Sequence, residues 1–114
     1  MVIARGEIWW ANLSPSQGTE QSGIRPALIV QMDRANAASP HTIVAPLTTK
    51  IRQKTLRSHV LLNAGEGGTT QDAVVLCEQI RVIDKGRLRN RMGTLAADRM
   101  DEVEVALKVI LDLS

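Results

Sequence analysis

The chain has no phenylalanine and no tyrosine, and its two aromatic residues are the neighbours Trp9 and Trp10. Binders of single-stranded nucleic acid commonly stack bases on several rings. A chain this poor in rings would have to hold such a ligand with hydrogen bonds, arginine planes and backbone groups. The lone cysteine, Cys77, excludes an intramolecular disulfide and fits a reducing compartment. It lies in an apolar stretch, where a buried thiol is inert. There is no CxxC, no HExxH and no histidine pair at ligand spacing, so no metal and no cofactor are expected. There is no GxSxG nucleophile elbow either. His41 and His59 read as loop and strand histidines rather than as an acid–base pair, since nothing in their spacing favours proton transfer. No apolar stretch reaches transmembrane length, and Met1–Gly6 is too short and polar for a signal peptide, so the expected location is the cytoplasm, with no membrane contact.

What is present amounts to one small domain, residues 1–114, with 44% hydrophobic and 23% charged residues. Fourteen basic and twelve acidic residues leave a formal charge of +2, unevenly spread. Lys50, Arg52, Lys54 and Arg57 form one basic segment, and Arg81, Lys85, Arg87, Arg89 and Arg91 form another. If the two meet in space they attract phosphates; if not, they are solvated loops. Asp98, Asp101, Glu102 and Glu104 cluster on the last helix, where an acidic solvent face explains them better than a magnesium site.

Pattern places strands at Glu7–Leu13, Pro26–Met32, Thr42–Leu47, Ser58–Asn63 and Ala73–Ile83. The second is a nearly continuous apolar run, as in a strand buried on both faces, and Pro46 marks an edge or bulge late in the third. Ser14–Arg25 is a long loop, and Asp33–Pro40 a helical turn with Asp33 as a possible N-cap. Ala64–Asp72 reads as a glycine turn, and Asp84–Gly93 as irregular with a short strand near Arg91 and Met92. From Ala96 to Leu113, Met100, Val103, Ala106, Leu107, Ile110 and Leu111 recur at helical spacing. Strands first and a helix last predict a mainly β fold with α (α+β): a small antiparallel β-barrel closed by an amphipathic helix.

Arg25 precedes Pro26, which biases it to an extended backbone at a loop–strand junction. There its planar fork is a good phosphate clamp. Thr48 and Thr49 follow the third strand, where hydroxyls can emerge. On these residues alone, an arginine in a surface ion pair and a threonine closing a turn remain the simpler reading.

A longer pattern changes that balance. Arg5-Gly6-Glu7-Ile8-Trp9, Leu13-Ser14-Pro15 and the run from Gly18-Thr19-Glu20-Gln21 through Arg25-Pro26 to Val30 resemble the start of MazF/PemK (Kid-like) toxins of type II toxin–antitoxin systems. The resemblance continues through Ile43–Thr49, Val75–Lys85 and the helix Met100–Leu113, covering nearly the whole chain in order. It implies an SH3-like barrel (CcdB/PemK-like) forming a homodimer. It also implies a metal-independent endoribonuclease that cuts single-stranded RNA at a short sequence, an mRNA interferase. In that family the 2′-hydroxyl attacks the adjacent phosphate, leaving a 2′,3′-cyclic phosphate and a 5′-hydroxyl. The catalytic pair falls on Arg25 and Thr48. Glu20 is the group to orient Arg25 or take the proton, because Ile24 stands where some relatives carry a histidine. Gln21, Thr49, Leu56, Glu78, Gln79 and Arg81 fall on RNA-binding positions. The implied inhibitor is a MazE-like antitoxin with an acidic flexible tail, which competes with RNA for the basic segments.

Two readings from other classes remain. A CcdB-like toxin shares the barrel but poisons gyrase; such proteins end in Trp-Gly-Ile, whereas this chain ends Asp112-Leu113-Ser114. A non-catalytic RNA-binding barrel would not need both Arg25 and Thr48.

Overall fold

The computed structural model describes residues 1–15, 17, 18, 20–51 and 56–114. In chain order it contains β1 (Glu7–Asn12), β2 (Ile24–Ile29), α1 (Asp33–Ala38), β3 (His41–Thr48), β4 (His59–Leu62), β5 (Ala73–Leu76), β6 (Arg81–Asp84), β7 (Leu88–Thr94) and α2 (Ala97–Leu111). All strand pairs are antiparallel, in the order β4-β5-β3-β2-β1-β7, with β6 beside β3. The expected mainly β fold with a closing helix is present.

Alternation along the central strands serves two cores. Ile8, Leu28, Ala45 and Leu47 face a core completed by Val60, Leu62, Val75, Leu95 and the helix residues Val103 and Ala106. Their neighbours Trp9, Ala11, Ala27, Ile29 and Val44 face a second core with Ile3, Leu13, Ile83 and Leu88. Both faces of β2 are therefore covered, as its apolar run implies. Each large aliphatic side chain withdrawn from water here contributes about 1.5–3 kcal/mol.

The barrel is not closed by a ladder. Among the described residues the end strands β4 and β7 do not pair; the glycine turn after β4 lies against β7 instead. Gly67 and Gly68 have φ of +64° and +83°, and a Cβ on Gly68 would stand 2.2 Å from the Met92 carbonyl oxygen. A Cβ on Gly93 would stand 2.5 Å from the Gly67 carbonyl oxygen. Backbone packs on backbone at a distance that only glycine permits.

Several local expectations change, the first being that the second strand runs Ile24–Ile29 rather than Pro26–Met32. The long strand Ala73–Ile83 is split by a 3-10 turn at Cys77–Gln79, opposite Pro46, which has no N–H to continue the ladder. The β3 register is Leu47↔Val75 before the break and Val44↔Arg81 after it. Met32, not Asp33, is the N-cap of α1; the Asp33 carboxylate instead accepts from the Arg5 N–H at 2.6 Å. The irregular segment before Gly93 contains a full strand, β7, paired with β1. On α2, Met100, Val103, Ala106 and Leu107 pack on the core, but Ile110 and Leu111 are 43% and 49% exposed. The apolar stripe outruns the sheet that it covers.

Candidate active site

Two prolines open the site. The β2–β3 ladder joins Ala27–Ile29 to Val44–Pro46 and stops there, because Pro26 has no N–H to extend it. Past that point the strands border a groove of about 250 Å³, lined on one side by Ile24, Arg25 and Pro26 and on the other by Leu47, Thr48 and Thr49. Arg25 is held by the register Ala11↔Arg25 and by its Nε, which donates to the Ser22 carbonyl at 2.8 Å. Among the described residues that is its one side-chain hydrogen bond, leaving the two Nη groups to meet a ligand. Thr48 is buried, and its Oγ1 accepts from the Lys50 N–H at 3.1 Å, so the hydroxyl proton remains for donation. A fixed guanidinium and a fixed hydroxyl on one groove suit a phosphate whose negative charge grows during reaction.

A second groove, of about 180 Å³, shares the end of β3 and gathers Glu20, Gln21, Pro46, Glu78, Gln79, Ile80 and Arg81. Here the polar groups already have partners. Gln79 Oε1 accepts from the Gln21 N–H at 3.0 Å, and Arg81 donates to the Leu13 carbonyl at 2.9 Å. Glu78 lies 2.7 Å from His59 Nε2 and accepts from the Ser58 hydroxyl at 3.3 Å. Glu20 is exposed and accepts from the Gln17 N–H at 3.1 Å. The structure thus brings Arg25, Thr48 and Thr49 together in one groove, and Glu20, Gln21, Glu78, Gln79 and Arg81 in the next. Leu56 lines neither and is exposed at 56%.

The second basic segment is largely structural. Besides Arg81, Arg87 donates to the Asn12 carbonyl at 3.2 Å and to the Ser14 carbonyl. Lys85 donates to the Asn36 carbonyl, and Arg91 pairs with Glu7 at 3.1 Å. Glu7 also accepts from Trp9 Nε1 at 3.0 Å and the Ala4 N–H at 2.8 Å. Burial would raise its pKa, but the Trp9, Ala4 and Arg91 hydrogen bonds outweigh it and hold the carboxyl below its ordinary value. Of the first basic segment, Arg52 and Lys54 lie outside the described residues, as do Ser16 and Thr19 of the loop before β2. Burial, with Glu78 nearby, pushes the Cys77 thiol up to about 12, so it is no nucleophile at neutral pH. On α2, Glu102 pairs with Arg99 at 2.8 Å and Glu104 with Lys108 at 3.8 Å.

Sequence reasoning missed one whole wall. Thr69, Thr70 and Gln71 reach the first groove on the glycine turn, and Trp10, Ala73 and Met92 form its apolar floor. Trp10 is 39% exposed there, whereas Trp9 is buried. One ring is thus available for stacking beside Arg25. The signal was the run Gly67-Gly68-Thr69-Thr70-Gln71, hydroxyls and an amide directly after glycines in the left-handed region.

A barrel-like sheet with a closing helix, carrying an arginine and a threonine in one groove at the end of a central strand, has the architecture of the small toxin barrels. The description "PemK-like, MazF-like toxin of type II toxin-antitoxin system" matches residues 4–111, and the chain belongs to that family. It is 43% identical to endoribonuclease EndoA of Bacillus subtilis (strain 168) over 113 residues, covering 99% of this chain and 97% of that protein. MazF of Deinococcus radiodurans superposes with a TM-score of 0.83 at 30% identity, over 98% of each chain. A MazE–MazF crystal structure from the same organism (form II) gives 0.78 at 26% identity, over 100% of this chain and 99% of that one.

Proposed function

We propose that the chain, as one domain over residues 1–114, is the toxin of a type II toxin–antitoxin system. It is a sequence-specific endoribonuclease that cuts single-stranded RNA without a metal, working in the cytoplasm as a homodimer. The observation that carries this reading is the convergence of Arg25 and Thr48 on one groove, in a chain 43% identical to an endoribonuclease.

In the reaction the 2′-oxygen forms a bond to phosphorus while the bond from phosphorus to the 5′-oxygen breaks. The products are a 2′,3′-cyclic phosphate and a 5′-hydroxyl. Charge builds on the non-bridging oxygens, where the Arg25 Nη groups give most stabilisation in the transition state. The Thr48 hydroxyl donates to one of these oxygens and holds the phosphate in line for attack. Two groups stand for the proton leaving the 2′-hydroxyl: the Glu20 carboxylate on the adjoining groove, and Arg25. The high pKa of a guanidinium favours Glu20. Gln21, Glu78, Gln79 and Arg81 line or brace the base-recognition groove, with Thr49 and Leu56 towards the segment after β3. The MazE–MazF complex that the fold resembles supports a MazE-like antitoxin as partner. Its acidic tail would meet Arg25 over the first groove and exclude RNA.

The test is incubation of purified protein with mixed-sequence single-stranded RNA in excess EDTA, beside Arg25→Ala, Thr48→Val and Glu20→Gln. Discrete cuts with cyclic-phosphate ends, lost on replacing Arg25, are expected. A folded protein that leaves a broad RNA pool intact would sink the reading.

A further inference from the structure

We propose that the floor of the Arg25–Thr48 groove is a nucleobase subsite. A base next to the phosphate held by these two residues stacks on Trp10, and the exposed side chains of Thr70 and Gln71 read its edge. The proposal deepens the ribonuclease reading above and rests on it. The groove is the open mouth of the first core. Side chains alternate along a strand, so Trp10 shares the face of Ile8 on β1, and Ile24 and Pro26 share that of Leu28 on β2. These three line the groove, with Ala73 and Met92 beside them. The sheet also frees Trp10 from one neighbour. Its partner on β2 is Pro26, but the register with β7 passes from Trp9↔Arg91 to Ala11↔Leu88, so β7 carries an extra residue opposite Trp10. An irregularity of this kind re-aims a side chain. Trp10 is 39% exposed, whereas Trp9 is buried and its Nε1 donates to Glu7 at 3.0 Å.

The wall beside this floor is held at its base and open at its tip. The Thr69 hydroxyl donates to the Glu66 carbonyl at 2.8 Å, the Gly65 N–H to the Thr69 carbonyl at 2.7 Å, and the Ala64 N–H to the Asp72 carboxylate at 2.8 Å. Glu66 is tied to α2 by Arg99 at 2.9 Å. Thr70 and Gln71 are exposed on this held turn, and among the described residues their side chains have no hydrogen-bond partner. A carboxamide offers a donor and an acceptor side by side, which a base edge can answer. An apolar floor with one ring, a guanidinium, a hydroxyl and an amide thus share one groove of about 250 Å³. A nucleotide matches that set, because it carries a flat ring and an anion one sugar apart. Stacking accepts every base, whereas an edge contact separates them. Trp10 therefore sets how tightly the RNA is held, and Gln71 which base is preferred.

The test uses the preferred RNA found by cleavage mapping. Trp10→Leu keeps the core covered but offers no ring. It should raise KM about tenfold and move kcat far less, the scale of one lost base stack. Trp10→Phe, which keeps a ring, should recover most of that loss. Gln71→Ala should lower discrimination among bases about tenfold at one nucleotide flanking the cut. Trp10 also gives a signal independent of cleavage, because the other tryptophan is buried. The same RNA with a 2′-deoxyribose at the nucleotide bearing the attacking hydroxyl cannot be cut, and should quench the protein's fluorescence on binding. The quench should disappear in Trp10→Phe, and also when the base is removed from one of the two nucleotides flanking the phosphate. A KM for Trp10→Leu equal to wild type, or a quench that survives removal of either base, overturns the proposal. Should Trp10→Leu fail to fold, the quench of the wild type decides alone. Quenching by an acidic peptide but not by RNA also overturns it, and assigns the floor to a protein partner. If mixed-sequence single-stranded RNA quenches Trp10 but no RNA is cut, the stacking floor stands, and the ribonuclease reading is what has failed.

Discussion

Arg25 and Gln79 stand in grooves that share the end of β3, and they differ in what they already touch. Arg25 uses one nitrogen on the Ser22 carbonyl and turns its fork to the groove, whereas Gln79 holds the Gln21 backbone in the chain's own structure. Thr48 and Glu78 repeat the contrast: one keeps a hydroxyl proton for a ligand, the other is engaged by His59 and Ser58. One groove has donors in waiting, as chemistry on an anion requires. The other has its polar groups committed, as a surface that must keep its shape requires. On the proposed reading, the phosphate-binding donors and the groups that hold the loop are thus divided across a single strand end, with Glu20 as the one proposed catalytic group on the second side.

Substitutions can break this contrast or sharpen it. Arg25→Ala should lower kcat by about 10²–10³-fold with an unchanged circular dichroism spectrum, the scale of losing one transition-state donor. A comparable loss from Gln79→Ala would erase the distinction. Gly68→Ala places a Cβ against the Met92 carbonyl at a positive φ. It should destabilise the fold by on the order of 3 kcal/mol in denaturant titrations, taking the Thr69–Gln71 wall with it. Gln79→Ala should raise KM about three- to tenfold with kcat nearly constant, since it frees one loop hydrogen bond and touches no reacting atom. Smallest of all is an acid effect remote from both grooves. The Glu7 carboxyl has its pKa lowered in the folded state, so its contribution is present above the ordinary value of 4.5 and lost as pH falls through the folded one. Glu7→Gln should flatten the acid limb of a plot of thermal midpoint against pH and leave cleavage selectivity unaltered.

The sequence was legible where one physical signal dominates. The helical spacing of α2 needed no context and lies where pattern puts it, while the apolar run found the strand β2 but set it too late, at Pro26–Met32 instead of Ile24–Ile29. β7 was hidden because Arg89, Asn90 and Arg91 expose its middle, so no alternation marks it; its place comes from pairing with β1. The break at Cys77–Gln79 was equally silent, since it answers a proline in another strand. Arg25 and Thr48 were visible through the resemblance, but their shared groove depends on a ladder that stops at Pro26. The basic run Arg81–Arg91 misled in a more general way. Composition reports charge, while only packing decides whether a guanidinium faces solvent or a carbonyl of its own chain.

Those carbonyl contacts carry a consequence for how such a protein can change. The path of the loop after β1 is set through main-chain atoms: Arg81 holds Leu13, Arg87 holds Asn12 and Ser14, and Gln79 holds Gln21. A backbone carbonyl is the same in every residue type, and an amide N–H in every type but proline. Asn12, Ser14 and Glu20 also hold the loop through their own side chains, but an outward side chain such as that of Gln21 can be exchanged while the course is kept, as a key is recut on an unchanged blank. On the proposed reading of the second groove, a new target sequence can be reached by altering such outward groups, without refolding the body that bears Arg25 and Thr48.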